Sequence, residues 1–293
     1  MKNFHKIRQG FSLIELSIVI LIVGILIAGV TTSSRLVKRM KITTAQNITQ
    51  SSPVPSIKDL SVWYETTMDG SLLDIEKSDG TPITIWYDGN LQSSFKYDFK
   101  QATLANQPKY SDGIINNLPA IRFDGVDDCM VANSVGFSGK GMTAFLVGQR
   151  VAFGGYTRVG MLAGLGPSPQ NDDSASGSFV AFADFGTVFT SGTNLRNGPN
   201  SPHPGNGTPY IMGDVFTGLT NTMYYNGSPS TEISQVTSFL VDSLRVGCNY
   251  FNTNTAFHNG FIAEIIIYSR GLNTEERKSV EAYLSKKYAI KLL

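Results

Sequence analysis

Gly10-Phe11-Ser12-Leu13-Ile14-Glu15-Leu16-Ser17-Ile18-Val19-Ile20-Leu21-Ile22-Val23-Gly24-Ile25-Leu26-Ile27-Ala28-Gly29-Val30 is the stretch from which the rest of the chain is read. From Phe11 to Val30 it holds twenty residues and a single charge, Glu15. A helix rises about 1.5 Å per residue, so this one measures about 30 Å, the thickness of a bilayer core. It is apolar on every side, which marks a membrane helix rather than a core helix. A carboxylate inside such a helix costs about 2.5–3.5 kcal/mol at mid-depth. Glu15 therefore either reaches the headgroups from the helix end or has a partner, and the flanking residues favour the partner.

Lys2, His5, Lys6 and Arg8 form a basic leader ahead of the apolar run. It has the charge of a secretory signal peptide, but no Ala-x-Ala site follows the apolar run. The change of character falls instead at Gly10-Phe11. The basic leader, Gly10 and the run Phe11-Ser12-Leu13-Ile14-Glu15-Leu16 together resemble the N-terminal segment of type IV prepilins, over residues 1–40. That resemblance implies cleavage between Gly10 and Phe11 by a prepilin peptidase, followed by N-methylation of Phe11. It gives Glu15 a role in assembly, facing the N-terminus of a neighbouring pilin or pseudopilin subunit. A freed cationic amine is a natural partner for a carboxylate in low dielectric, because each is costly there alone.

With 293 residues the chain has room for this anchor and one large domain or two small ones. Removal of Lys2, Lys6 and Arg8 takes the net charge from +1 to −2. Arg35, Lys38, Arg39 and Lys41 then form a basic collar, while the chain from Ser51 onward holds 17 basic and 22 acidic residues. A mildly acidic domain gives no support for nucleic-acid binding. Cys129 and Cys248 either pair in an oxidising compartment or remain buried thiols. Two cysteines and three histidines supply no zinc signature.

Ser51-Ser52-Pro53-Val54-Pro55 interrupts the helical pattern. The expected organisation is a leader at 1–10, a helix at 11–50, a hinge at 51–56 and one domain at 57–293. In that domain the predicted strands are Asp59–Tyr64, Ile83–Tyr87, Leu118–Phe123, Met142–Val151, Gly177–Phe185, Tyr210–Phe216, Asn221–Tyr225, Leu244–Cys248 and Phe261–Tyr268. Asn226-Gly227 predicts a hairpin turn. Ser191–Pro209, rich in Gly, Pro, Asn and Ser, predicts a long loop. Asn273 or Thr274 caps a terminal helix with Arg277, Val280, Leu284 and Tyr288 on one face, and Lys286 and Lys287 suit its C-terminal end.

Three separated pieces of this domain resemble the bacterial laminin-G-like, concanavalin A-like jelly roll. They are Leu60–Tyr64 with Ile85–Asp88, Gln107–Tyr110 with Leu118–Asp128, and Gly260–Arg270 running into Glu281–Tyr288. The expected fold class is α+β, mainly β: a long N-terminal transmembrane helix, a β-sandwich, and a C-terminal helix.

Asp124, Asp127 and Asp128 offer calcium ligands, but an Asp-Gly turn bonding its own backbone amides is the favoured reading. Asp172 and Asp173 are further acids elsewhere. Glu264 invites a glycosidase reading, yet such enzymes need two acids, and Ile265, Ile266 and Ile267 follow it. It is read as a structural carboxylate, and no enzyme activity is expected. His203 and His258 have no serine or cysteine motif beside them. Loops with Tyr156, Tyr250 and Asn252 are candidates for binding a carbohydrate, which often stacks on exposed rings. The functional expectation is a minor-pilin-like subunit, held in the bacterial inner membrane, then assembled into a periplasmic or extracellular filament that displays a lectin-like, adhesive domain. The alternatives are a type II secretion pseudopilin contacting secreted substrates and, further off, a tethered glycan hydrolase.

Overall fold

Leu13–Gln50 forms one α-helix, α1, in a stretch with no proline before Pro53. The computed structural model describes residues 12–139, 141–153, 157–163, 179–184, 188–192, 199–202, 205–234, 239–248 and 257–293. The chain divides into two compact units, Met1–Thr44 and Ala45–Leu293.

In the first unit the large apolar side chains from Leu13 to Ile27 are exposed. Among the described residues no helix is long and apolar enough to cross a membrane. The expected twenty-residue span is thus not met by them. Phe11 and the side chains of 28–34 lie outside the described residues, and Ser12–Ile27 alone is 16 residues. That is about 24 Å of helix against about 30 Å of hydrocarbon.

Ala45–Leu293 contains a sandwich of two antiparallel sheets. Among the described residues the first sheet has nine strands. At its centre Met142–Arg150 lies between Pro209–Phe216 and Asn259–Tyr268. Leu118–Asp124 and Leu60–Glu65 share the far edge of Asn259–Tyr268, pairing with residues 259–262 and 264–268 in turn. The second sheet has eight described strands, with Met130–Gly139, Phe239–Val246, Thr157–Ala163 and Phe179–Asp184 adjacent in that order. Asn226 and Gly227, both at positive φ, turn Thr220–Tyr225 into Ser228–Pro229 as the sequence predicts.

Lys109–Ile115, Met130–Gly139 and Thr157–Ala163 are strands that sequence reading did not predict. The Ser-Asp-Gly of the first and the Asn, Ser and Gly of the second carry little strand propensity, and pairing with neighbouring strands supplies the order instead. The segment read as a long loop contains a short strand, Asn200–Pro202.

The first sheet is buried on both faces. Val62 and Tyr64 point into the inter-sheet core with Phe123, Leu146 and Leu244. On the opposite face Trp63 joins Phe145, Val147, Ile266 and Tyr268 beneath the helix Thr274–Tyr288, here α2. Asn273 caps α2: its side chain accepts from the Glu276 amide at 2.9 Å, and the Glu276 carboxylate accepts from the Asn273 amide at 3.1 Å. Ala45 and Val54 are buried in the same layer. The proline segment is tied down there, for the Val54 carbonyl accepts from the Tyr268 hydroxyl at 3.1 Å.

Candidate functional site

Strand alternation sends Val62 and Tyr64 to one face and Trp63 and Glu65 to the other. The Trp63 amide is pinned by the Asp88 carboxylate at 3.0 Å. Opposite Glu65, across the ladder, stands Glu264. Its strand slips register between Ile262 and Glu264, a bulge that brings Ala263 and Glu264 to the α2 side together. Two buried like charges on neighbouring strands are destabilising alone. α2 supplies the answer, because the Lys287 ammonium sits 2.9 Å from Glu65 and 2.9 Å from Glu264.

Every oxygen of the pair is occupied. Glu264 accepts from Trp63 Nε1 and the Tyr283 hydroxyl on one oxygen, at 2.7 Å each, and from Lys287 and the Tyr288 hydroxyl on the other, at 2.9 Å each. Glu65 accepts from the Thr67 amide and hydroxyl, the Met68 amide, the Ser71 hydroxyl and Lys287. Burial pushes the Glu65 carboxyl up, but the Lys287 charge and the Ser71 and Thr67 hydrogen bonds outweigh it and hold the group at about 2. For Lys287, burial acts to lower its pKa, and Glu264 and Glu65 together raise it above the usual lysine value.

The network also reaches the end of α1. Thr49 Oγ1 and the Tyr283 hydroxyl are 3.3 Å apart, and Gln46 Nε2 donates to the Thr67 carbonyl at 2.9 Å and to Asp69 at 3.0 Å. Beside it opens a pocket of about 260 Å³, lined by Thr49, Pro55, Trp63, Glu65, Met68, Ser71 and Leu91 among others. Sequence reading missed this site. Lys287 was placed with Lys286 as a helix-end charge, whereas it is 1% exposed.

The predicted site residues lie elsewhere. At the start of α1 the Ser12 amide donates to Glu15 at 2.9 Å. Gly10, Phe11, Tyr156, Tyr250 and Asn252, together with Asp172, Asp173 and His203, lie outside the described residues. Cys129 and Cys248 are joined by a disulfide, with Cα atoms 5.1 Å apart.

Asp124, Asp127 and Asp128 bring carboxylate oxygens within 4.8 Å of one another. Asp124 accepts from the Val126 and Asp127 amides, and Asp128 accepts from the Asp124 amide at 2.8 Å. Two of the three carboxylates thus hold the turn's own backbone, which is the plainer of the two sequence readings. Gly125 is required in it: φ is +83°, and a Cβ there would stand 2.7 Å from the Asn259 Cβ. Burial, with the charges of Asp124 and Asp127, pushes the Asp128 carboxyl up to about 7. A folded pKa above the unfolded value contributes stability below about pH 4 that is lost as pH rises through about 7. Asp128→Asn keeps an acceptor for the Asp124 amide and removes the charge. It is expected to raise the midpoint of thermal unfolding at pH 8 by about 2–4 °C, the size of about 1 kcal/mol in such a domain. At pH 4 no gain is expected, and an equal gain at both pH values would refute this account.

Comparison with known proteins adds two findings. Residues 5–31 match the family described as Prokaryotic N-terminal methylation motif. No curated protein matches the chain. Among solved structures the chain is similar to Trypanosoma rangeli sialidase in complex with 2,3-difluoro-KDN, at 12% identity and a TM-score of 0.54, over 85% of this chain and 38% of that one. It is also similar to a mutant GH54 α-L-arabinofuranosidase soaked with 4-nitrophenyl α-L-arabinofuranoside, at 13% identity and a TM-score of 0.51, over 71% of this chain and 51% of that one. The chain thus spans about two fifths to one half of the lengths of those proteins. At such identities the likeness shows the fold, a β-sandwich of the kind found in glycosidases, and does not single out a laminin-G-like or concanavalin A-like one.

The exclusion of enzyme activity does not stand. It rested on Glu264 having no second acid; Glu65 stands opposite it, but both are buried and held by Lys287, so the likeness to named glycoside hydrolases is what overturns the exclusion. The proteins that share this sandwich are, by their names, glycoside hydrolases. The methylation motif supports a type IV pilin-like or pseudopilin-like subunit, and with it processing by a prepilin peptidase and assembly with other such subunits.

Proposed function

We propose that the chain is a type IV pilin-like subunit that is cleaved between Gly10 and Phe11, methylated on Phe11, and assembled through its N-terminal helix to display the sandwich for adhesion to a carbohydrate-bearing surface. The observation that carries the reading is the methylation motif at residues 5–31, set on a helix whose apolar side chains from Leu13 to Ile27 stand exposed. Exposed apolar surface of that extent calls for a cover of lipid or of partner helices. Before assembly the inner membrane provides it, and afterwards the filament does. Glu15 at the helix start is the carboxylate that receives the neighbouring subunit's methylated amine.

Mass spectrometry of the mature N-terminus is expected to find N-methyl-Phe11; an intact leader sinks the proposal. Glu15→Ala is expected to leave membrane insertion intact and to cut filament yield about tenfold or more, since an unpaired amine in low dielectric costs more than about 1.4 kcal/mol. Filaments formed at the normal level by this variant would remove Glu15 from assembly.

The sandwich fold is compatible with a carbohydrate-related domain, and a concanavalin A-like or laminin-G-like relation remains a finer form of that reading. Incubating the chain with a glycan array, scored both for retention and for release of cleaved product, tests this. Retention supports display for adhesion, and release identifies a tethered hydrolase. The absence of both retention and release would leave the domain as a spacer.

A further inference from the structure

We infer that the pocket at the foot of the sandwich receives the stalk of a second copy of this chain, through Leu36, Val37 and Met40. The inference deepens the filament reading above and rests on it. The pocket is built mainly from the apolar surfaces of Pro55, Trp63, Met68 and Leu91; of its polar groups Glu65 and Ser71 bond each other and Thr49 pairs with Tyr283, while Gln50 lies exposed at it. It therefore offers a mainly apolar seat. Leu91 at its rim is 77% exposed.

The same chain carries apolar groups that fit such a seat. Leu36, Val37 and Met40 are 59%, 57% and 61% exposed on α1. At spacings of three and four they share one helix face. This is surplus apolar surface on a helix stretch that also carries four cations, Arg35, Lys38, Arg39 and Lys41.

Charge points to the same pairing. Asp69 lies exposed between Met68 and Gly70, both of which line the pocket. From Ser51 onward acids outnumber bases by 22 to 17. A basic, apolar stripe on one copy thus meets an apolar pocket with Asp69 beside it on the next. Pocket and stripe are different surfaces of one chain, so the contact is heterologous. Such contacts propagate from copy to copy unless a rotation closes them.

Cross-linking between two differently tagged full-length chains, one Met40→Cys and the other Leu91→Cys, co-expressed in the membrane, reads the contact directly. Cys129 and Cys248 are already joined to each other. The expected result is about tenfold more doubly tagged disulfide dimer than with Met40→Cys and Leu219→Cys, because a seated side chain has a high effective concentration. Leu219 is also well exposed, in the hairpin turn between Pro209–Phe216 and Thr220–Tyr225, and does not line the pocket. Arg39→Asp or Asp69→Arg alone is expected to reduce the dimer, and the two together to restore it. A yield no higher than the Leu219→Cys control overturns the inference, as does a dimer that added monosaccharide suppresses, which would give the pocket to a sugar. Electron microscopy of the same cells separates the two levels. Filaments without the cross-link refute the pocket contact alone, and neither filaments nor cross-link refutes the assembly reading as well.

Discussion

Lys287→Met is expected to lower the stability of the sandwich by about 3–5 kcal/mol, because it removes the one cation shared by two buried carboxylates and leaves both uncompensated. Lys287 is buried, as are Glu65 and Glu264, and its ammonium lies 2.9 Å from each. Methionine replaces the stem of the lysine closely, so the loss measures charge rather than packing. In a domain of this size the midpoint of thermal unfolding falls by about 10 °C. A triple variant with Glu65→Gln and Glu264→Gln added is expected to recover part of the loss, since a neutral network no longer buries net charge. The pH dependence gives a second readout. In the native chain the Glu65 carboxyl titrates at about 2, below its unfolded value, so its stabilisation is present above about pH 4.5 and is lost as pH falls toward 2. Without Lys287 the burial of Glu65 goes unopposed by that charge, its folded pKa rises, and acid down to about pH 4.5 should stabilise the variant instead. Urea unfolding across pH 4.5–8 measures both. A loss under about 1 kcal/mol with an unchanged pH slope would show that the triad is not formed.

Local chemistry was legible in the sequence, and long-range pairing was not. A helix cap at Asn273 or Thr274, of which the structure uses Asn273, the Asn226-Gly227 turn and the strands rich in β-branched and aromatic residues announce themselves within a few residues. Leu60–Glu65 and Asn259–Tyr268 lie close to their predicted bounds. Lys109–Ile115 and Met130–Gly139 do not, because their polar and glycine-rich residues form strands only when neighbouring strands supply the hydrogen bonds. The buried site was hidden for a related reason. Lys287 and Glu65 are separated by 222 residues, and a search for a second acid along the strand of Glu264 cannot see one across the ladder. A signal was present nonetheless: Glu65 ends an alternating strand on the face of Trp63, so one acid had to be accommodated beneath whatever covers that face.

The disulfide carries the other large effect, and here too the size follows from chain distance. Cys129 and Cys248 are separated by 119 residues. Closing a loop of that length in the unfolded chain is worth about 5 kcal/mol at 25 °C on the entropic account. The surrounding fold holds both positions by other means. Met130, next to Cys129, and Val246, two residues before Cys248, are already paired in the ladder, the Cys129 amide donates to the Asn106 carbonyl at 3.1 Å, and Cys248 is buried. The double variant Cys129→Ala, Cys248→Ala is therefore expected to keep the fold at 25 °C while losing about 3–5 kcal/mol, the low end allowing for residual structure in the unfolded chain. Reductant should move the urea midpoint of the native chain toward that of the variant and leave the variant where it is. A native chain whose midpoint ignores reductant under unfolding conditions would mean that the bond is absent in solution. A variant lacking the bond should also be cleaved faster by added protease than the native chain, because cleavage follows the population of opened chains.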